Sequence, residues 1–196
     1  SIVFIITSSL FNQGISLGLI CVALKLINNN EVTFSLLFSG FHMLFQYVAA
    51  SIIYFFILLV GAIPGAGMLL FSIYQGSAVN FSSIISMLGI LLIIIPTIYL
   101  SVRLQFYNYF LIDQECGVVE SIQKSAAITM GHVLELFIFG AYLSLIVLIS
   151  LIPFSIGIAI GTPLVILLAV PVGLSFVFTI IALGYVYFIL NKKSIP

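Results

Sequence analysis

A chain of 196 residues that is 63% hydrophobic and 5% charged carries too little charge to cover a soluble domain, where about a quarter of the residues are charged. Its five basic and five acidic residues balance, which excludes the basic field that nucleic-acid binding requires. The bilayer is therefore the solvent for most of the surface. Hydrocarbon satisfies no backbone polar group, so the spanning elements are helices or a closed barrel. Long apolar runs without alternation argue against the barrel.

A helix needs about 20 residues to cross about 30 Å of hydrocarbon. By that measure Ser1–Ile27 is the first span, and Asn28–Glu31 is a polar stop. Val32–Gly40 carries Phe34, Leu37 and, just beyond, Phe41 at helical spacing, which reads as an interfacial helix or a tight re-entry. Phe41–Ile63 is the second span, ending at the breaker run from Gly61 to Gly65 around Pro64. Met68–Tyr74 follows as a helix extension or surface segment. Ser83–Ile112 is the third span, with Pro96 inside it removing one ladder bond and kinking the helix.

Asp113–Gly131 is the most polar stretch. There Val118, Val119, Ile122, Ala126 and Thr129 share one helical face, with Glu120, Gln123 and Lys124 opposite, and Glu120 and Lys124 stand in the favourable i,i+4 order. This predicts an amphipathic helix lying in the membrane surface. His132–Ile158 is the fourth span. Pro163–Leu190 is the fifth, started by Thr162 and Pro163 and interrupted by Pro171.

The basic residues Lys25, Arg103, Lys124, Lys192 and Lys193 all fall near the ends of spans one, three and five. The positive-inside rule then places those ends and the C terminus in the cytoplasm. Ser1 opens inside an apolar run, so the expectation is that a further helix precedes it, making six spans. Cys21 and Cys116 have no CxxC partner, which implies neither a disulfide framework nor a zinc site.

An internal similarity runs through the chain. The runs opened by Ile15, Ile98 and Ile181 resemble one another at a constant offset of 83 residues, and each leads to a polar stop at Asn28, Asp113 or Asn191. His42 and His132 also correspond, each just after a glycine, and Pro64 and Pro153 follow them near the ends of their spans. A single membrane domain over 1–196 built from a tandem duplication, with units near 15–97 and 98–181, accounts for this. Two spans per unit preserve direction, so the repeats are parallel and not inverted.

The stretch from Ile95 to Phe137 reads IPTIYLSVRLQFYNYFLIDQECGVVESIQKSAAITMGHVLELF. It resembles a superfamily of bacterial multi-helix membrane proteins related to the membrane domain attached to some glycerophosphodiester phosphodiesterases. The shared features are a proline-bearing helix (Pro96), an arginine about two turns later (Arg103), a short acidic stop (Asp113), a helix rich in small residues (Ser121–Thr129) and a Gly131-His132 entrance to the next helix. The resemblance implies the architecture and a bacterial cytoplasmic membrane. It transfers no catalytic motif, because the phosphodiesterase activity of the fused members belongs to a separate soluble domain.

Few residues are candidates for chemistry. Arg103 in an apolar helix is expensive and needs a partner or a route to water. With Lys124 it could contact lipid phosphate or another anion, or it could snorkel to the interface, paired with Glu135. His132 and Glu135 share a helix face one turn apart, and the helix N-terminus favours the carboxylate. One such pair is too few ligands for a metal. His42 and His132 could ligate a haem only inside a bundle, and both stand at span entrances. Gly14-xxx-Gly18 and Gly157-xxx-Gly161 permit close helix packing. Asn12 and Gln13 are expected to face a helix partner.

Neither a nucleophile–base pair nor a phosphate loop is found, and no cofactor is implied. The expectation is a non-enzymatic polytopic membrane protein: a scaffold, assembly factor or subunit of a membrane complex, with lipids and other membrane chains or further copies of itself as partners. The alternative is a small transporter or lipid-handling protein.

Overall fold

The computed structural model describes residues 2–28, 30–74, 84–160 and 169–194. Every regular element among them is helical. In chain order these are α1 (Ile2–Ile27), α2 (Leu36–Ser39), a 3-10 turn (Gly40–Met43), α3 (Leu44–Tyr74), α4 (Ile84–Leu104), α5 (Tyr107–Asp113), α6 (Val118–Ile128), α7 (Val133–Ile160) and α8 (Val170–Ser194). Four stretches are long and apolar enough to cross a membrane: Leu36–Tyr74, Ile84–Asp113, Val133–Ile158 and Val170–Lys193. That marks a membrane-embedded helical protein. The first of the five expected spans is helical along Ile2–Ile27.

Several boundaries differ from the sequence expectation. The second span does not end at Pro64. α3 runs through Pro64 to Tyr74, so Met68–Tyr74 is a helix extension. A mid-helix proline is tolerated in a membrane helix where neighbouring groups or a local adjustment of the helix take up the freed backbone carbonyl. The segment before it is not a separate interfacial helix either. α2 begins only at Leu36 and leads through the 3-10 turn into α3. Pro171 does not interrupt the last helix, because it stands in the first turn of α8, where its missing N–H costs nothing. Thr162, Pro163 and Gly161 lie outside the described residues.

α3 and α4 form a close hairpin. A Cβ added at Gly61 would lie 2.7 Å from Leu100 Cδ1, and one at Gly65 would collide with the Gly89 carbonyl and lie 2.6 Å from the Ile93 nitrogen. The backbones therefore touch directly. Near the far end, the buried hydroxyls of Ser72 and Ser86 hydrogen-bond at 3.0 Å. The same close approach seats α2 and its turn on α1. A Cβ at Gly14 would strike the Phe41 ring, one at Gly18 the Leu37 backbone, and one at Gly40 would lie 2.7 Å from Leu17 Cβ. Gly14 and Gly18 thus serve internal packing. Gly157 is buried.

α1, α5 and α8 converge at their C-terminal ends. Ile20 and Leu24 of α1, Phe106, Tyr109 and Phe110 around α5, and Tyr187 of α8 make one buried cluster. Its rings interlock: Phe110 meets Tyr187 edge-on at 4.9 Å, and Tyr109 stacks on Tyr187 at 5.6 Å. Tyr109 donates to the Ile180 carbonyl at 2.8 Å, and Tyr187 donates to Asp113 Oδ2 at 2.8 Å. A second cluster joins Ala50, Leu104, Tyr107 and Ile122 across α3, α4, α5 and α6. Tyr47 and Tyr54 stack on Tyr107, whose hydroxyl meets Ser51 at 3.1 Å.

Candidate functional site

All charged residues of the chain gather at or near the end where α1, α5 and α8 finish. Lys25 is in the last turn of α1, Lys192 and Lys193 in that of α8, and Glu135 in the first turn of α7. Asp113, Glu115, Glu120 and Lys124 occupy the α5–α6 corner, and Arg103 stands in the last turn of α4.

The third expected span, Ser83–Ile112, corresponds to one apolar stretch, Ile84–Asp113, built of two helices. It breaks after Leu104 and restarts at Tyr107, with Phe106 at φ −95 and ψ 3. There is no proline or glycine at the break. The cause is α6. Ser125 Oγ accepts from the Phe106 amide at 3.1 Å and donates to the Arg103 carbonyl at 3.1 Å. Thr129 Oγ1 donates to the same carbonyl at 3.1 Å. Hydroxyls from the α6 segment thus take up the Phe106 amide and the Arg103 carbonyl, groups that an unbroken helix would pair within itself.

α6 was expected to lie in the membrane surface on Val118, Val119, Ile122, Ala126 and Thr129. Ile122 and Thr129 of that face are buried and Val118 and Ala126 pack beside them, Val119 is 57% exposed, and Ser121 and Ser125 are fully buried on the same side. The small hydroxyl-bearing side is the packing side, because only short side chains let α6 reach the α4 backbone. On the open side Lys124 pairs with Glu120 at 2.8 Å and donates to Gln114 Oε1 at 2.6 Å. The ammonium holds the Glu120 carboxyl below the usual carboxylate range, and Glu120 in turn raises Lys124. At the corner, burial pushes the Cys116 thiol up, so it stays a neutral thiol and a poor nucleophile.

Arg103 does not pair with Glu135. Its Nη2 donates to the Ala126 carbonyl at 2.7 Å, its Nη1 to the Tyr99 hydroxyl at 3.4 Å, and its guanidinium lies 5.7 Å from the centre of the Tyr99 ring. The Arg103 Nε is buried without a hydrogen-bond partner. This makes Arg103 a clamp on α6, with its charge turned toward a carbonyl and a ring. Glu135 pairs with His132 Nδ1 at 2.9 Å, as their spacing predicts, and stays 79% exposed. His42 Nδ1 donates to the Ser39 carbonyl. The two histidines line different cavities, His42 beside α1 and α5, His132 beside α8. Among the described residues no group of three or more metal-ligating side chains occurs. Asn12 is exposed, against the expectation that it faces a helix, while the Gln13 Oε1 is buried without a partner.

The feature that sequence reading missed is the cavity under α2. About 320 Å³ of open space lies between the ends of α1 and α5, lined by Lys25, Asn28, His42, Asp113 and Glu115 with Leu24, Leu36 and Ile112. Lys25 and Glu115 are far apart in sequence, so no local pattern connects them. Glu115 itself has φ 48, the left-handed region that a side chain disfavours.

Compared with known proteins, the chain matches no family model, no curated protein and no solved structure.

Proposed function

We propose that this chain is a non-enzymatic polytopic component of a membrane assembly, a scaffold, assembly factor or subunit whose outer helix faces pack against other membrane chains or a second copy. The observation that carries this reading is how little the spans bury against one another. In the apolar window of Leu36–Tyr74 6% of residues are buried, and 11, 11 and 17% in the other three. Helices associate in lipid through close van der Waals packing, small residues and interhelical hydrogen bonds. Spans that use so little of their surface internally leave the rest for lipid or for another chain. Open glycines support the second. A Cβ at Gly67, Gly140 or Gly173 would meet nothing within 4 Å, and Gly140 with Ser144 forms a small-residue step on a groove that Gln105 and Leu183 also line.

In this reading α1 is a fifth span, and the ends of α1, α5 and α8 and the C terminus face the cytoplasm of a bacterium. The order of helix, polar stop, short helix and long helix occurs twice, from α1 to α3 and from α4 to α7, which supports the parallel tandem repeat. The superfamily related to the phosphodiesterase-linked membrane domain remains the proposed kinship on the strength of the Ile95–Phe137 stretch.

Native mass spectrometry of the protein extracted from its own membrane tests the assembly. A defined stoichiometry with a second copy or a partner is expected, and Gly140→Leu should lower it while leaving the melting temperature of the chain unchanged. A single chain without partners, unaffected by Gly140→Leu, would contradict the reading. The alternative, lipid handling, is favoured by one observation, the charged cavity under α2.

A further inference from the structure

We propose that the cavity between the ends of α1 and α5 binds a phosphoethanolamine group, the paired phosphate and primary ammonium carried by an ethanolamine phospholipid headgroup or by the free soluble compound. Opposite charges line the same space without joining. Lys25 and Glu115 make no ion pair among the described residues. Asp113 Oδ2 already accepts from Tyr187 at 2.8 Å, which fixes the carboxylate at the cavity edge and leaves its other lone pairs free. His42 is held through Nδ1 by the Ser39 carbonyl, so its other ring nitrogen remains available.

A ligand that carries one charge sign would satisfy half of this lining. A phosphate alone would meet Lys25 and Asn28 but also two carboxylates. A simple amine would meet the carboxylates but also the lysine. A zwitterion with the two charges a few bonds apart satisfies both sides. The two carboxylates favour a primary ammonium over a quaternary one, because only the former donates hydrogen bonds to them.

The rest of the lining suits a molecule at the membrane boundary. Leu24, Leu36, Met43 and Ile112 give the wall an apolar part that can take the glycerol and first methylene groups of a lipid. Near this wall Phe34, just before α2, Phe38 of α2 and Phe41 of its turn stack edge to face and face to face and are all exposed. α2 and its turn therefore hold Phe38 on the open surface, where hydrocarbon can cover it, and turn Ser39 and His42 with Leu36 and Met43 to the cavity. The left-handed Glu115 is the second independent sign. A glutamate is kept in a conformation that glycine would adopt without strain, and residues held this way cluster at binding sites.

The full chain in nanodiscs of phosphatidylcholine with a minor fraction of phosphatidylethanolamine provides the test, with bound lipid counted by native mass spectrometry. Retention of the ethanolamine lipid about tenfold above the choline lipid is expected, since charge-assisted hydrogen bonds of the kind the quaternary group lacks are worth that ratio. Glu115→Gln should remove most of the preference, Lys25→Met should lower the retention of both lipids severalfold, and Lys124→Met, outside this cavity, should change neither. Glu115→Gly separates binding from folding: it relaxes the backbone, so the melting temperature should hold or rise while the preference falls. Displacement of the lipid by millimolar phosphoethanolamine would identify the headgroup alone as the ligand, and retention against it would identify the intact lipid. Equal retention of both lipids by the unaltered chain, a preference that survives Glu115→Gln, or retention that Lys25→Met leaves unchanged would overturn the proposal.

Discussion

The α3–α4 hairpin and the charged end of the molecule join helices by opposite means. In the hairpin, Gly61, Gly65 and Gly89 bring the backbones into contact, and among the described residues one serine pair hydrogen-bonds across. At the charged end, α4 breaks, and Ser125, Thr129, Arg103, Tyr109 and Tyr187 connect helices through side-chain hydrogen bonds. Glycine contact leaves no polar group and little space. Side-chain contact leaves irregular gaps, spare lone pairs and a strained corner. The second region is therefore where a ligand can be held, and the first is where the fold is secured.

The largest effect should come from filling the glycine contact. Gly65→Leu inserts a side chain where the Gly89 carbonyl and Ile93 stand, and overpacking of this kind costs about 3 kcal/mol. A clear fall in melting temperature in detergent is expected, whereas Gly67→Leu, two residues on and facing open space, should leave it unchanged. Equal behaviour of the two variants would remove the hairpin from this account.

Next in size is the break. Ser125→Ala deprives the Phe106 amide of its acceptor, and a buried unpaired donor costs about 1–3 kcal/mol. Amide exchange at Phe106 should accelerate together with a modest loss of stability. Ser144→Ala is the comparison, since that hydroxyl only back-bonds to Gly140 in its own helix, and neither readout should move.

The smallest effect is electrostatic. Because Lys124 lowers the folded-state value of Glu120, the pair favours the folded state above the ordinary carboxylate value, and that contribution disappears as pH falls through the lowered one. Lys124 is raised, so its share is present below its ordinary value and is lost as pH rises through the raised one. Melting curves across the acidic range should show a slight extra loss in the wild type that is absent in Glu120→Gln. Both groups are solvated, so the difference is small.

How much of this was written in the sequence depends on whether the cause is local. The apolar runs disclosed the spans, and the i,i+3 spacing of His132 and Glu135 disclosed their contact. The order of Glu120 and Lys124 disclosed theirs. The break at Gln105 and Phe106 was illegible, because its cause, Ser125 and Thr129, is a hydroxyl pair on a later helix. Gly61 and Gly65 were misread as the end of a span, because a Gly-rich run around proline signals a turn in water and a close contact in lipid. Arg103 was recognised as needing a partner, but a backbone carbonyl has no sequence signature, so Glu135 was the visible candidate. The cavity was hidden for the same reason, since folding alone brings Lys25 to Glu115.

The central claim is that the ends of α1, α5 and α8 meet at one membrane face and carry the charged groups there. Single cysteines at Asn28, Glu115 and Lys193, in a background with Cys21→Ser and Cys116→Ser, test it directly with a membrane-impermeant maleimide on vesicles of known orientation. The account predicts that all three label from the same side. Labelling of any one of them from the opposite side would contradict it.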